Sequence, residues 1–255
     1  MNNLKIATSQ FPLSGNITRN AQYIKQHMKK AAKEACHIVH FPETALSGYA
    51  RVHFDSFQNY DWGLLQQCLE DIIALSKELR IWTILGSTRK NTDSQPYNCI
   101  YVISDMGQIE GIYDKQNLYS REKEFYTPGA KPLFATIFGV KCGFLICYDS
   151  CFPNLYTTYR DQGVQLLFHS YYNAANTEGK SSLDDLIIAQ LITRAADNQM
   201  WISASNSSER HSRLASCLAR PDGSLVKAKR HVAGIVTTVF SQIGPGWTYN
   251  NRTGS

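Results

Sequence analysis

The sequence predicts an α/β protein whose helices pack on mixed β-sheets, and three observations support this prediction. First, hydrophobic residues recur at the two-residue spacing of strands and at the spacing of helices, in the order β-α-β-α-β over the first third of the chain. Second, hairpin patterns follow these elements, so antiparallel pairs mix with parallel ones. Third, hydrophobic residues make up 43% of the 255 residues and charged ones 18%, which allows a sizeable core and excludes a disordered chain.

The first half of the chain contains the predicted β-α-β-α-β run and a hairpin. Residues 4–8 alternate as a short strand does, and after the breaker Ser14-Gly15-Asn16 apolar residues recur at helical spacing from Ile17 to Ala35. A turn at Ser104–Gly107 separates two strand-like runs and predicts a hairpin. Together these patterns predict strands at 4–8, 36–41, 81–87, 97–103 and 109–113, and helices at 17–35 and 61–79.

The second half continues the alternation. Gly139 separates a close pair of strands, Ser181-Ser182-Leu183-Asp184 resembles a capping box that begins a helix, and Pro221-Asp222-Gly223 predicts the turn of the last hairpin. The predicted strands lie at 133–138, 140–147, 164–168, 200–205, 214–219, 224–226 and 235–239, and the predicted helices begin near 152–154 and span 183–198. No linker or repeat interrupts this pattern, so we expect a single domain at 1–249 and a polar C-terminal tail at 250–255.

Charge and cysteine usage exclude several classes of protein. The formal net charge of +5 is small and scattered, without the basic stripe of a nucleic-acid-binding protein. The N-terminus lacks the pattern of a signal peptide, and no apolar run reaches the roughly 18 residues of a membrane span. The seven cysteines show no disulfide or zinc spacing. We therefore expect a cytoplasmic protein with reduced thiols that binds neither nucleic acid nor a membrane.

Three segments place reactive side chains at or just beyond the ends of predicted strands. These segments are FPETALSGY at 41–49, YDKQNL at 113–118 and CGFLICYDSCFP at 142–153. They put Glu43, Lys115 and Cys147 at strand ends, where ligands bind in α/β sheets. Taken singly, each residue has an ordinary structural explanation, as a loop acid, a solvated lysine or a small buried hydrophobe.

Taken together, the three segments resemble the nitrilase superfamily of carbon–nitrogen hydrolases. The order Glu, Lys, Cys has separations of 72 and 32 residues, and ITRAADNQMWISASN at 192–206 extends the resemblance over nearly the whole chain. The resemblance implies a four-layer α-β-β-α sandwich of two mixed β-sheets with outer helices, and a homodimer or higher homo-oligomer. It also implies that Glu43, Lys115 and Cys147 form the catalytic triad and that Glu122 is a supporting glutamate.

Two departures from the family pattern concern packing and substrate fit rather than the type of reaction. Asn154 follows Phe152-Pro153 where the family usually has Glu, and Asp197 replaces the Glu of the Arg-Ala-x-Glu-Asn segment. The sequence Cys147-Tyr148-Asp149 resembles the amidase and carbamoylase branches, whereas nitrilases tend to carry Cys-Trp-Glu. We therefore expect hydrolysis of a small amide or N-carbamoyl compound, with release of ammonia or an amine.

The resemblance implies a role for each residue of the site. Cys147 attacks the substrate and forms a thioester, and we expect Lys115 and the following helix to lower the pKa of its thiol. Glu43 moves protons between the thiol, the leaving group and water. Lys115 and the backbone N–H of Tyr148 stabilise the oxyanion, while Glu122 holds Lys115 in place. This chemistry requires neither a metal ion nor another cofactor.

Other assignments stay open on the sequence alone. Cys151 is a rival nucleophile, and His169 could pair with a cysteine as in papain-like enzymes or join Cys142, Cys147 and Cys151 in a zinc site. The same triad also fits nitrile hydrolysis, and the chain could instead be a non-catalytic binding or scaffold subunit of this fold. The candidate substrate contacts are Tyr49, Tyr119, His169, Tyr171, Tyr172 and Asn173, with Arg51, His53, 171–176 and 207–211 around the same pocket.

Overall fold

The computed structural model describes residues 4–92, 94–173 and 182–241. Two six-stranded mixed sheets pack against each other and helices cover their outer faces, which is the predicted α-β-β-α sandwich. The first sheet contains, from edge to edge, Gly234–Phe240 (β12), Leu4–Gln10 (β1), Ile38–His40 (β2), Trp82–Arg89 (β3), Tyr97–Ile103 (β4) and Ile109–Asp114 (β5). The second contains Leu225–Lys227 (β11), Cys217–Ala219 (β10), Trp201–Ser205 (β9), Leu166–Ser170 (β8), Val140–Ile146 (β7) and Phe134–Ile137 (β6).

Two of the four α-helices that the structure describes begin at a side-chain N-cap and bury one apolar face. Helix α1 begins where the Asn16 side chain accepts a hydrogen bond from the Arg19 N–H at 2.9 Å, an N-cap arrangement. The helices are Ile17–Lys33 (α1), Trp62–Leu79 (α2), Pro153–Asp161 (α3) and Ser182–Asn198 (α4), and short 3-10 helices lie at Ser120–Glu124 and Cys147–Cys151. Among the described residues, no helix is both long and apolar enough to cross a membrane.

A chain of buried polar side chains, which we call the polar seam, joins the two sheets. It consists of Thr8, His40, Ser170 and Ser203. The Ser203 hydroxyl lies 2.7 Å from Thr8 Oγ1 and 2.9 Å from His40 Nδ1, and Ser170 Oγ lies 3.0 Å from His40 Nε2. Ser170 Oγ also donates to the Phe41 carbonyl at 2.9 Å. The seam therefore aligns the carboxyl ends of β2 and β8, where the site is located.

The helices and strands lie close to their predicted positions, and the differences are at their ends. The second strand covers Ile38–His40 instead of 36–41, because the N–H of Cys36 bonds the helical carbonyl of Ala31 at 2.9 Å. The strand predicted from Val164 begins at Leu166, since the Val164 N–H closes the preceding turn on the Tyr159 carbonyl. Ser181 of the predicted capping box and the tail at 250–255 lie outside the described residues.

Candidate active site

Three strand ends carry the residues singled out from the sequence. Glu43 follows β2 after two residues, Lys115 follows β5 directly, and Cys147 follows β7 directly. Glu43 and Lys115 have no exposed surface, whereas Cys147 is partly exposed. The Cys147 thiol lies within electrostatic range of Glu43, Lys115 and Glu122. The fold thus brings these four side chains into one cluster, with the cysteine on its solvent side.

The Lys115 ammonium lies between two buried carboxylates. Its Nζ is 2.7 Å from Glu43 Oε1 and 2.8 Å from both carboxylate oxygens of Glu122. The backbone N–H of Tyr119 also donates to Glu122 Oε2 at 2.6 Å, which fixes the 3-10 helix at Ser120–Glu124 against the lysine. Buried charges are tolerated when they are paired and hydrogen-bonded in this way.

Glu43 is held by the backbone of a neighbouring strand end as well as by side chains. The backbone N–H of Tyr172 donates to Glu43 Oε2 at 2.8 Å, and the Glu43 N–H donates to the Tyr171 carbonyl at 3.2 Å. The Asn98 amide donates to Glu43 Oε1 at 2.7 Å. Each carboxylate oxygen of Glu43 therefore has a donor, and the side chain has one fixed orientation beside the thiol.

The charges of the cluster favour a neutral thiol before substrate binds. Burial raises the pKa of the Glu43 carboxyl above 4.5, with Lys115 opposing this effect. Burial lowers the pKa of Lys115, but the carboxylates of Glu43 and Glu122 outweigh it and raise that pKa well above 10.5. Burial and Glu43 raise the pKa of Cys147 well above 9.0 although Lys115 lowers it. The expectation of a lowered thiol pKa is therefore wrong, because burial and two carboxylates outweigh one ammonium.

The backbone turns sharply at the cysteine. Cys147 has φ of 41°, in the left-handed region that costs a non-glycine residue free energy and is often found at functional sites. Asp149 holds this turn, since its Oδ2 accepts from the Ile146 N–H at 3.0 Å and from Tyr113 Oη at 2.8 Å. Its Oδ1 accepts from the backbone and the amide of Asn117 at 3.0 and 2.9 Å. Asp149 thus connects the flanks of Cys147 with the flanks of Lys115.

His169 lies behind the cysteine backbone. Its Nε2 is 3.2 Å from the Cys147 carbonyl oxygen, and its Nδ1 is 3.1 Å from the hydroxyls of Tyr156 and Tyr171. A carbonyl oxygen only accepts hydrogen bonds, so Nε2 carries the ring proton, and the unprotonated Nδ1 accepts a hydrogen bond. Burial lowers the pKa of His169 to about 3. This neutral ring faces the backbone rather than the thiol, which argues against a Cys–His pair. Cys151, the rival nucleophile, is exposed.

The remaining candidate contacts divide between the cavity and the interior. Tyr49 and Tyr172 stack with ring centroids 5.0 Å apart. Tyr119 is 58% exposed and, with Tyr49 and Glu122, lines a cavity of about 250 Å³. Tyr171 is buried. Tyr148 follows Cys147, and its ring packs edge to face against the ring of Tyr119, with centroids 5.2 Å apart, and against the ring of Phe152.

Three of the residues expected around the pocket, His53, Tyr172 and Glu209, contact one another. The Tyr172 hydroxyl donates to Glu209 Oε2 at 2.8 Å, and His53 Nε2 lies 3.2 Å from Glu209 Oε1. Arg51 lines the same cavity as Tyr119. The Asn173 N–H donates to the Asn206 side chain at 2.8 Å. Residues 174–176, also expected around the pocket, lie outside the described residues.

Sequence reasoning missed Asn98 as a member of the cluster. It lies on β4, inside the apolar run Tyr97-Asn98-Cys99-Ile100, and is fully buried. A single amide within an otherwise apolar strand was the available signal, because a buried polar group needs a partner. Its partners, Glu43 and Glu122, are distant in sequence, so the pattern alone did not identify them.

Comparison with known proteins points to one family. The family model described as carbon–nitrogen hydrolase matches residues 5–240. A 2-oxoglutaramate amidase from Bacillus subtilis is 28% identical over 204 residues, which cover 79% of this chain and 75% of that protein. A glutamine-dependent NAD(+) synthetase from Acinetobacter baylyi is 32% identical over 155 residues, covering 58% of this chain. The aligned part is 28% of the length of that synthetase.

Solved structures show the same fold. An amidase from Nesterenkonia sp. AN1 has a TM-score of 0.81 and 17% sequence identity, over 93% of this chain and 90% of that chain. That structure shows the acetamide moiety of fluoroacetamide added covalently at the active-site cysteine.

Proposed function

The chain belongs to the carbon–nitrogen hydrolase family, within the nitrilase superfamily, and we propose that it cleaves small amides through a thioester formed at Cys147. The observation that carries this proposal is the cluster of Glu43, Lys115, Glu122 and Cys147, in which a partly exposed cysteine lies beside a buried carboxylate and a buried ammonium. These are the nucleophile, the proton carrier and the cation that amide cleavage requires.

The first half of the reaction forms the thioester. Glu43 accepts the thiol proton as Cys147 Sγ bonds to the amide carbon, and the carbonyl oxygen becomes an oxyanion. The proton then passes from Glu43 to the leaving nitrogen, the C–N bond breaks, and ammonia or an amine departs. Proton transfer by a positioned side chain contributes about 10²- to 10⁴-fold to such steps.

Lys115 and the N–H of Tyr148 stabilise the oxyanion in this proposal. One Lys115 proton bonds Glu43 and a second is shared by the two oxygens of Glu122, which leaves a third for the substrate oxygen. A donor aimed at a developing oxyanion is worth about 3–4 kcal/mol. In the second half, Glu43 deprotonates water, which attacks the thioester, and the thiol re-forms as the acid departs.

The size of the cavity supports a small substrate. We assign the acyl group of the substrate to the cavity of about 250 Å³ that Glu122 lines together with Tyr49, Tyr119 and Tyr126, a volume that favours a short acyl group over a long chain. The amidases among the similar proteins support a primary amide. The Cys-Tyr-Asp sequence also supports N-carbamoyl compounds as substrates. The alternatives to this proposal are hydrolysis of nitriles and a non-catalytic binding role.

We also propose a cytoplasmic homodimer in which the outer helices meet. Leu183 and Leu186 on α4 are each 49% exposed, and a pair of large apolar side chains on one helix is suited to burial against a second copy. Sedimentation equilibrium should give twice the chain mass. Leu186→Glu should shift the equilibrium toward the monomer, while Val52→Glu, at an exposed apolar residue outside α4, should leave it unchanged.

Ammonia release over a panel of compounds tests the proposed function. The panel contains propanamide, butanamide, 2-oxoglutaramate, glutamine, N-carbamoyl amino acids and aliphatic nitriles. We expect turnover of at least one amide, a loss of more than 10³-fold in Cys147→Ala, and near-normal rates in Cys151→Ala. Turnover of nitriles alone would favour the nitrilase alternative. No turnover of any compound by a folded protein would favour a binding subunit.

A further inference from the structure

Asn98 lies between the two carboxylates of the cluster. Its Nδ2 is 2.7 Å from Glu43 Oε1 and 3.4 Å from Glu122 Oε1, and Lys115 Nζ bonds the same two oxygens. The backbone holds this arrangement, because the Lys115 N–H donates to the Asn98 carbonyl at 2.9 Å. Asn98 and Lys115 therefore connect the same pair of oxygens, one through a neutral amide and the other through an ammonium.

The chemistry of the neighbours fixes which way the amide points. A reversed amide would place Asn98 Oδ1 against two carboxylates, so the NH₂ group must face Glu43 and Glu122. In that orientation Oδ1 is buried and has no hydrogen-bond partner among the residues that the structure describes. A buried amide kept only for packing would have both ends satisfied. The side chain instead leaves its acceptor unpaired while its donors reach the carboxylates.

The charge of the cluster explains what such donors do. Glu43 and Glu122 carry two negative charges and Lys115 one positive charge, so the buried cluster has an excess of one negative charge. Such an excess favours uptake of a proton by one carboxyl group. Hydrogen bonds from neutral donors stabilise the ionised carboxylate without adding a charge. Asn98 supplies such donors to Glu43.

Several other groups also act on Glu43 and enter any argument about its protonation. Lys115 from the end of β5 favours the ionised form, whereas Glu122 from the 3-10 helix disfavours it. Cys147 lies at the end of β7, and three tyrosine hydroxyls lie within electrostatic range of the Glu43 carboxylate. These tyrosines are Tyr49, Tyr126 and Tyr172. Among all these groups, Lys115 and Asn98 are the side chains that donate hydrogen bonds to Glu43.

We propose that Asn98 is a positioning residue that keeps Glu43 ionised and aimed, so that Glu43 can accept the proton of the Cys147 thiol. This inference rests on the proposed function, in which Glu43 is the general base. It differs from a purely structural role in one respect. A structural amide affects the rate equally at every pH, whereas a donor to the general base sets the pH at which activity is lost.

The pH dependence of Asn98→Ala and Asn98→Leu tests this inference. Two profiles are measured: kcat/KM for the best amide of the panel, and the rate of Cys147 alkylation by iodoacetamide, followed by peptide mass spectrometry. Without the amide donors the ionised form of Glu43 loses stabilisation, so its pKa rises. We expect the acid limb of both profiles to shift to higher pH by about one unit. At pH values below the limb this shift corresponds to a rate about tenfold lower than that of the wild type.

Cys99→Ala is the matched control. Cys99 is the next residue of the same strand, is buried, and belongs to the apolar cluster on the helix side of the sheet. Cys99→Ala should lower the free energy of unfolding without moving either acid limb. Asn98→Leu keeps the branched shape and the number of heavy atoms of the side chain, so a second variant is available if the cavity left by alanine prevents folding.

The possible outcomes separate this inference from the proposed function. An acid limb in the folded variants identical to that of the wild type, with any rate loss constant over pH, would overturn the role of Asn98. If the wild type hydrolyses nothing in the panel but the alkylation limb moves in the variants, the proposed function fails and the role of Asn98 stands. If the wild type is active and neither limb moves, the function stands and the inference fails.

Discussion

Lys115 is the residue on which the charge balance of the site depends. Lys115→Met would leave Glu43 and Glu122 facing each other in the interior, both without their ammonium partner. Removing one member of a buried ion cluster costs about 3–5 kcal/mol. We therefore expect the free energy of unfolding, measured by urea titration, to fall by about that amount, with loss of activity.

Glu122→Gln is the control for this prediction. It leaves one carboxylate with one ammonium, so the loss of stability should be smaller, about 1–2 kcal/mol. Equal stability of Lys115→Met and the wild type would show that the ion cluster does not form as described.

Asp149 is the second residue with a specific prediction. Its carboxylate accepts four hydrogen bonds from Ile146, Tyr113 and Asn117. Asp149→Asn places an NH₂ group against some of these donors, which should lower the free energy of unfolding by about 2–3 kcal/mol. Because the bonds connect the flanks of Cys147 and Lys115, kcat should fall as well. Unchanged kcat and stability would contradict this role.

At the residue scale, the sequence predicted the members of the site that recur in a recognisable order. Glu43, Lys115 and Cys147 each follow a strand, so their place at the carboxyl ends of strands could be anticipated, although β2 and β5 lie in one sheet and β7 in the other. The direction of the Cys147 pKa could not, since it depends on how burial and three neighbouring charges add up in space. Asn98 could not be identified for the same reason, because its role depends on two carboxylates that come from distant parts of the sequence.

At the scale of elements, the close approach of two segments positions Glu43. A methyl group at Gly86, on β3, would overlap the carbonyl of Pro42 and crowd the Glu43 backbone. We expect Gly86→Ala to cost about 1–3 kcal/mol, as overpacking does, and to reduce kcat/KM by displacing the base. Gly234→Ala is the matched control, because Gly234 on β12 of the same sheet has open space around it. Similar kinetics for the two variants would refute this explanation.

Periodicity predicted which elements exist better than how they pair. Strand β12 pairs with β1 through a register joining Leu4 to Phe240, a contact that no local pattern encodes. The 3-10 helix at Cys147–Cys151 is too short for a hydrophobic period, so the sequence placed the nucleophile before a helix near 152–154. Turns of this length are set by hydrogen bonds such as those that Asp149 accepts from the distant residues Tyr113 and Asn117.

At the scale of the whole molecule, neutral histidines inside the fold make it sensitive to acid. Burial lowers the pKa of His27, which bonds Ser9 Oγ at 2.8 Å, to about 4 from 6.5. The unfolded chain binds a proton below pH 6.5 and the folded chain does not until about pH 4, so the stability present above pH 6.5 is lost as the pH falls between these values.

This histidine alone should lower the free energy of unfolding by about 2 kcal/mol between pH 7.5 and pH 5. Urea titrations at the two pH values measure this loss. In His27→Gln, whose side chain can still bond Ser9, the free energy of unfolding should decrease between the two pH values by about 2 kcal/mol less than in the wild type. The same decrease in both proteins would assign the acid sensitivity to other groups, such as His40 in the polar seam.

The central claim is that catalysis passes through a thioester at Cys147. Rapid acid quenching during turnover of the best amide, followed by peptide mass spectrometry, tests it most directly. The account predicts an increase equal to the mass of the acyl group on the peptide containing Cys147, located at that residue by fragmentation and absent from Cys147→Ala. Acylation of Cys151 instead, or sustained turnover by Cys147→Ala, would contradict it.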